Sequence, residues 1–295
     1  MYDVIIVGGG PAGLSAALML GRCRRKTLVC DDGRYRNAAS SGMHGYLTRD
    51  CVDPAEFLRI GREQLVPYGV EYRRISVMDI QSGDGGFEVA LGNGTTETCR
   101  KVLLATGVCD RVPPLEGMDR FYGRSVFHCP YCDGWEMRDQ PLAAYGNGAN
   151  GAGLAVSLKQ WSPDVVLCTD GAARLKATDW KRLADKGIPV RPERIARLEG
   201  QNGTLDHIVF ADGPPLARRA IFLSTGNEQR SPLAARLGCS FTAKGAVRTS
   251  RLEGTVVPGV YVAGDASRDV QLVIVAAAEG AKAAFAINTA LQNED

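Results

Sequence analysis

The stretch Asp3-Val4-Ile5-Ile6-Val7-Gly8-Gly9-Gly10-Pro11-Ala12-Gly13 decides how the rest of the chain is read. Within residues 3–7, Val4 to Val7 is an unbroken run of apolar β-branched residues, as expected of a strand buried on both faces. A glycine turn follows, then an apolar helical stretch through Leu20 and a second short strand from Thr27 to Cys30. Asp31 stands at its end, eighteen residues past Gly13. In Gly8-x-Gly10-x-x-Gly13, a Cβ would block the tight turn and keep a pyrophosphate away from the backbone. Pro11 and Ala12 open the helix whose unpaired N–H groups face the phosphates, and Asp31 can accept hydrogen bonds from ribose hydroxyls. Strand, turn, helix, strand and acid together fill one βαβ unit, a context that a chance glycine-rich turn lacks.

The same plan recurs. After an irregular polar segment at 34–50, a helix is expected from Asp53 to Leu65, capped by Asp53 with Pro54 in its first turn. Residues 75–105 alternate as strands around glycine turns, and Pro113-Pro114 marks a domain boundary. Then Leu142–Tyr145 reads as a strand, 146–151 (GNGANG) as a glycine turn, 152–160 as a helix, and Val165–Cys168 as a strand ending in Thr169-Asp170-Gly171. Ser224-Thr225-Gly226 echoes Ala105-Thr106-Gly107. A last strand, Val260–Ala263, runs into Gly264-Asp265, followed by a small-residue helix from about Gln271 to Leu291. The expected fold is α/β, with two Rossmann-like domains. Residues 1–112 and 230–295 would form one, and 113–229 a smaller domain inserted into it.

The bulk composition narrows the function classes. The chain has 295 residues, 45% hydrophobic and 23% charged, with net charge +2, so no field argues for nucleic acid. Arg22, Arg24, Arg25 and Lys26 fall at the expected end of the first helix, where they complement its dipole. No stretch approaches the ~20 apolar residues of a membrane span, and no signal pattern opens the chain, so a cytoplasmic location is expected. Nine cysteines are an odd number, which argues against a disulfide framework. Seven are scattered and read as small core or surface residues. Only Cys129 and Cys132 form a close pair.

Cys129-Pro130-Tyr131-Cys132 can close a small disulfide ring, and such pairs often depress one thiol's pKa and speed exchange. A zinc site would want a second CxxC or a Cys/His pair, so no metal is expected. Asp133, next to Cys132, can carry a proton to or from a thiolate, or can simply cap a turn. Asp265, just past a strand, can hydrogen-bond a flavin's ribityl chain, with Gly264 beside it. The helix N-terminus near Gln271 and Leu272 would face the flavin edge where negative charge gathers on reduction.

With these elements together, the chain resembles the low-molecular-weight thioredoxin reductase family along nearly its whole length. The likeness rests on GGGPAG at 8–13, ATG at 105–107, CPYCDG at 129–134, the glycine turn at 146–151, and GVYVAGD at 259–265 followed by AAAEGAKAA at 276–284. It implies FAD held by the N- and C-terminal segments, with Ala105, Thr106 and Gly107 among its contacts. It further implies Cys132 facing the flavin, Cys129 exchanging with substrate and Asp133 as acid/base. A homodimer and a thioredoxin-like protein or small dithiol/disulfide partner are also implied.

One departure bears on the electron source. Members that use NADPH carry a basic His-Arg-Arg-type cluster after the second strand of the inserted domain. Here those positions are Thr169-Asp170-Gly171, where Asp170 would repel a 2′-phosphate and Arg174 is the nearest cation in sequence. The reading is therefore a thioredoxin-reductase-like flavoprotein whose donor is ferredoxin, a second flavin or NADH. The alternative is an O₂-dependent oxidase of a small-molecule dithiol, and a redox-idle partner subunit is disfavoured by the intact CxxCDG. His44 is expected near the flavin ring. Like His128, it reads either as a base for a dithiol or as a merely hydrogen-bonding residue.

Overall fold

The computed structural model describes residues 1–295 and divides into two compact units. Unit 1 comprises Met1–Ala38, Tyr46–Cys109 and Glu228–Asp295. Unit 2 comprises Ala39–Gly45 and Asp110–Asn227. These divisions fall a few residues from the sequence-based boundaries, and the grouping of 39–45 with unit 2 was not anticipated.

Unit 1 opens with β1 (Tyr2–Val7), α1 (Pro11–Arg22) and β2 (Thr27–Cys30). Next come α2 (Pro54–Glu63), β3 (Glu71–Arg73), β4 (Val77–Gly83), β5 (Gly86–Leu91) and β6 (Thr96–Leu104). The Asp53 carboxylate accepts from the Ala55 and Glu56 amides, which fixes the start of α2 where the sequence places it. The core strands pair in parallel, in the order β3-β2-β1-β6, and β4 and β5 extend the sheet as an antiparallel meander. β7 (Val108–Asp110) ends this first passage.

Unit 2 repeats the plan. Its elements are α3 (Met118–Phe121), β8 (Val126–Phe127), α4 (Pro130–Asp133), β9 (Leu142–Tyr145), α5 (Gly148–Leu158), β10 (Val165–Cys168) and α6 (Ala177–Asp185). They are followed by β11 (Val190–Arg191), a meander of β12 (Ile195–Gln201), β13 (Thr204–Phe210) and β14 (Leu216–Ala217), and then β15 (Ala220–Leu223). The parallel sheet runs β11-β10-β9-β15-β8, so β15 stands beside β9 as β6 stands beside β1. α5 starts at Gly148 rather than near 152, because the Asn147 side chain caps the Gly148 amide and makes the glycine turn the first helical turn.

The chain returns through β16 (Asn227–Gln229), which pairs with β7. Unit 1 is completed by α7 (Leu233–Arg236), β17 (Val260–Val262) on β6, and α8 (Val273–Gln292). By length and composition α8 could cross a bilayer, with mean hydropathy 1.3, contrary to the expectation that no stretch comes close. It serves instead as a core helix: Ala276, Ala283, Ala284, Ile287 and Leu291 pack with Leu14, Ala16, Ala17 and Leu20 of α1. Small residues are the reason the two helices approach so closely. A Cβ on Gly280 would sit 2.0 Å from the Ala12 carbonyl oxygen.

Candidate active site

In unit 1 the loop-facing ends of β1, β6 and β17 converge around the glycine turn. Gly8 has φ +111°, and a Cβ there would lie 2.3 Å from the Ala105 carbonyl oxygen. A Cβ on Gly13 would lie 1.9 Å from the Gly8 oxygen. Both glycines are therefore required by the protein's own packing. Gly10 differs: nothing lies within 4 Å of its Cβ position. It is the N-cap of α1, with no side-chain cap and no acid in the first turn. The helix thus presents uncapped N–H groups to open space, and an anionic pyrophosphate suits them.

Asp31 is placed differently from its expected duty. It is 2% exposed, and it accepts from Tyr35 Oη at 2.5 Å, from the Tyr72 hydroxyl, and from the Gly33 amide at 3.0 Å. Burial pushes its pKa up, but these bonds and one from the Gly9 amide outweigh burial and hold it below the ordinary carboxylate range. A Cβ on Gly9 would meet the Asp31 carboxylate at 2.7 Å. Asp31 therefore organises the turn, with both carboxylate oxygens hydrogen-bonded. The two tyrosines that bond it lie outside the motif.

Gly264 (φ +82°) and Asp265 follow β17. The Gly264 amide donates to Glu279 Oε2 of α8 at 2.9 Å. Glu279 also pairs with Arg268 Nε at 2.5 Å, and Arg268 in turn bonds Glu253, which is 0% exposed and paired with Lys282 Nζ at 2.5 Å. Burial raises the Glu279 pKa, partly offset by the Gly264 amide and Arg268. Glu279 and Gly280, adjacent on α8, thereby tie the Asp265 loop and the α1 turn to one helix. The motif AAAEGAKAA carried that signal. Leu272 is the N-cap of α8, with no side-chain cap and no acid in the first turn, and Gln271 precedes it. Taken together, the open Gly10 cradle, two uncapped helix starts and a neighbouring carboxylate fit FAD. When bound, FAD supplies a two-electron carrier.

In unit 2, Cys129 and Cys132 form a disulfide with Cα atoms 5.2 Å apart. Cys129 is the N-cap of α4, and the Cys132 and Asp133 amides both donate to its carbonyl at 3.1 Å. A Cβ on Gly134 would meet the Pro130 oxygen at 2.4 Å and the Trp161 ring at 2.8 Å, so the CxxCDG turn requires glycine there. Burial, with a smaller contribution from Glu136, raises the Asp133 pKa to about 7. A carboxyl so tuned can hold a proton at neutral pH and pass it to a sulfur. Other thiols are muted: burial pushes Cys30, Cys99 and Cys168 up to about 12. His44 and His128 fall in unit 2: His44 Nδ1 lies 3.6 Å from Glu136, and His128 Nδ1 lies 3.6 Å from Asp110 and 3.2 Å from Tyr122 Oη.

The second glycine turn is built like the first, with one exchange. A Cβ on Gly146 would meet Ser224 at 2.9 Å, and one on Gly151 would meet Gly146 at 2.6 Å, as at Gly8 and Gly13. Where unit 1 has Gly9, unit 2 has Asn147. Its Oδ1 accepts from the Gly148 amide at 2.8 Å and the Arg174 amide at 2.7 Å, and its Nδ2 donates to the Thr169 and Ala172 carbonyls at 3.3 and 3.1 Å. Asp170 accepts from Tyr145 Oη at 2.9 Å and from the Ile195 amide at 2.8 Å. Side chains of the domain thus stitch the turn to the loop after β10.

Two Rossmann-like units, one fitted for FAD and one carrying a CxxC disulfide beside a tuned carboxyl, define a flavoprotein disulfide oxidoreductase. Residues 2–280 match the model of the pyridine nucleotide-disulphide oxidoreductase family. Thioredoxin reductase tcpT of Claviceps purpurea is 31% identical over 90% of this chain and 86% of its own length. Thioredoxin reductase of Aquifex aeolicus is 28% identical over 100% and 94%. The crystal structure of HlmI superposes with TM-score 0.95 at 36% identity, covering 100% of this chain and 93% of that one. The chain belongs to the pyridine nucleotide-disulphide oxidoreductases, as a low-molecular-weight thioredoxin reductase-like member.

Proposed function

We propose that this enzyme moves electron pairs between FAD and the Cys129–Cys132 couple without taking them from NADPH or NADH. The observation carrying this reading is the set of hydrogen bonds that Asn147 and Asp170 make within unit 2. Asn147 spends its carboxamide on four backbone groups, and both Asp170 oxygens have partners within the domain. A dinucleotide would have to break these bonds, and beside the Arg194 guanidinium that packs on Gly171 its 2′-phosphate would still meet the Asp170 carboxylate. NADH loses its support too, since Asp170 is already engaged.

In this reading Gly8, Gly10, Gly13, Pro11, Ala12, Ala105, Thr106, Gly107, Gly264, Asp265, Gln271 and Leu272 form the cofactor's surroundings, with Asp31 holding the turn from behind. Cys129 exchanges with the substrate: a thiolate attacks one disulfide sulfur, the S–S bond breaks, and its electron pair leaves on the second sulfur. Asp133 holds or releases the proton that the departing sulfur needs. The partner is a thioredoxin-like protein or a small dithiol/disulfide, with ferredoxin or a second flavin as donor in the reducing direction. The reverse direction, from a small dithiol through FAD to O₂, is the second reading. It gains from the same hydrogen bonds in unit 2, because it requires no nicotinamide. A homodimer is supported by the apolar stripe Ile274 (36% exposed), Ala278 and Phe285 (64% exposed), spaced to share one face of α8. A cytoplasmic setting suits a chain with one disulfide, the Cys129–Cys132 pair itself.

The test is anaerobic mixing of oxidised enzyme with NADPH, NADH or a reduced dithiol while flavin absorbance is followed. Fast bleaching by the dithiol alone is expected; fast bleaching by micromolar NADPH or NADH would overturn the proposal. Rapid recovery of colour on admitting O₂ would select the oxidase direction, and slow recovery the reductase.

A further inference from the structure

The loop after β2 carries a cation that the motif reading passed over. Arg36 Nη1 lies 2.8 Å from Asp265 Oδ2 and 2.8 Å from Gln271 Oε1. One guanidinium nitrogen thus joins the turn after β17 to the residue before the α8 N-cap, across more than two hundred residues of sequence. Gln271 answers by donating its Nε2 to the Asp265 and Arg268 carbonyls at 3.4 and 3.3 Å. Arg36 is itself steadied from the other side: its neighbour Tyr35 is bonded to buried Asp31, and Arg74 donates to the Gly33 carbonyl and the Tyr35 hydroxyl at 3.3 Å.

The electrostatics give this link a purpose. Asp265 brings a carboxylate to a region read as the surroundings of a ligand whose pyrophosphate is itself anionic, and helix N-termini supply only partial positive charge. Arg36 answers the carboxylate at 265 with a full charge, and it fixes Asp265 and Gln271 relative to each other before any cofactor arrives. We infer that Arg36 is the positioning residue of the FAD site, setting Asp265 and the start of α8 in register for the flavin and offsetting the carboxylate charge there. This rests on the reading of Asp265 and Gln271 as flavin contacts.

The test measures FAD affinity of apoprotein by quenching of flavin fluorescence for wild type, Arg36→Gln, Arg36→Lys, Asp265→Asn and the Arg36→Gln/Asp265→Asn double variant. Loss of a charge-assisted pair should weaken FAD binding about 30-fold in Arg36→Gln, while Arg36→Lys, which keeps one charged nitrogen, stays within about 3-fold. The double variant should bind no more than about 3-fold worse than the poorer single one, because both changes remove the same link. Wild-type affinity in Arg36→Gln, or single losses that simply multiply in the double variant, would overturn the inference. If Asp265→Asn itself binds FAD like wild type, the reading of Asp265 fails first. Thermal unfolding of each apoprotein separates a lost fold from a lost site, and Arg36→Lys keeps the question open to refutation if Arg36→Gln does not fold.

Discussion

Gly8–Gly13 and Gly146–Gly151 occupy the same place in two copies of one strand–turn–helix plan, yet they face opposite prospects. The first turn packs its outer glycines against its own backbone and leaves the Cβ position of Gly10 in open space. The second packs the same way, but Asn147, in the place of Gly9, hydrogen-bonds the loop after β10. A shared fold therefore says little about which turn holds a nucleotide; the side chains in and around each turn bear on it.

The sharpest way to break this contrast is a pair of substitutions. Gly10→Val places its branches where no protein atom stands, so the variant should fold but purify without flavin. Asn147→Ala should remain yellow and lose about 1–3 kcal/mol of stability from unsatisfied turn groups. A yellow Gly10→Val, or a colourless Asn147→Ala, would reverse the assignment of the two clefts. Flavin absorbance per protein and urea unfolding read both outcomes.

A smaller effect sharpens the chemistry on the unit 2 side. With the Asp133 pKa near 7, dithiol turnover should show an inflection near neutral pH. Asp133→Asn should remove that inflection and slow turnover by about 10²-fold. The stability effect has a definite sign. Since folding raises this pKa above the unfolded carboxylate value, the fold loses stability as pH rises from the unfolded pKa through about 7. Asp133→Asn should therefore unfold at a higher temperature than wild type at pH 8, with the difference vanishing toward pH 4. A variant difference independent of pH would show that the carboxyl is not buried as described.

Much of this was legible in the sequence because the decisive features are local. A glycine turn between a buried strand and a helix, and two cysteines three residues apart, announce themselves within a dozen residues. What escaped is tertiary. Asp31 reads as a ribose ligand until Tyr72, forty-one residues on, is seen bonded to it. Arg36 reads as one more polar loop residue because its partners lie at 265 and 271. Asn147 passes as part of a glycine turn, since nothing local reveals which carbonyls its amide will reach. α8 was placed within two residues, but its task of holding both Ala12 and Gly264 depended on how closely Gly280 lets it approach α1.

The most direct test of the account is an anaerobic dithionite titration of wild type beside Cys129→Ser. Flavin and disulfide each take two electrons. Complete reduction should consume about two equivalents of dithionite per wild-type chain and about one in the variant, which keeps its colour but lacks the second acceptor. Equal consumption by the two proteins would contradict the claim that FAD and the Cys129–Cys132 pair share electrons.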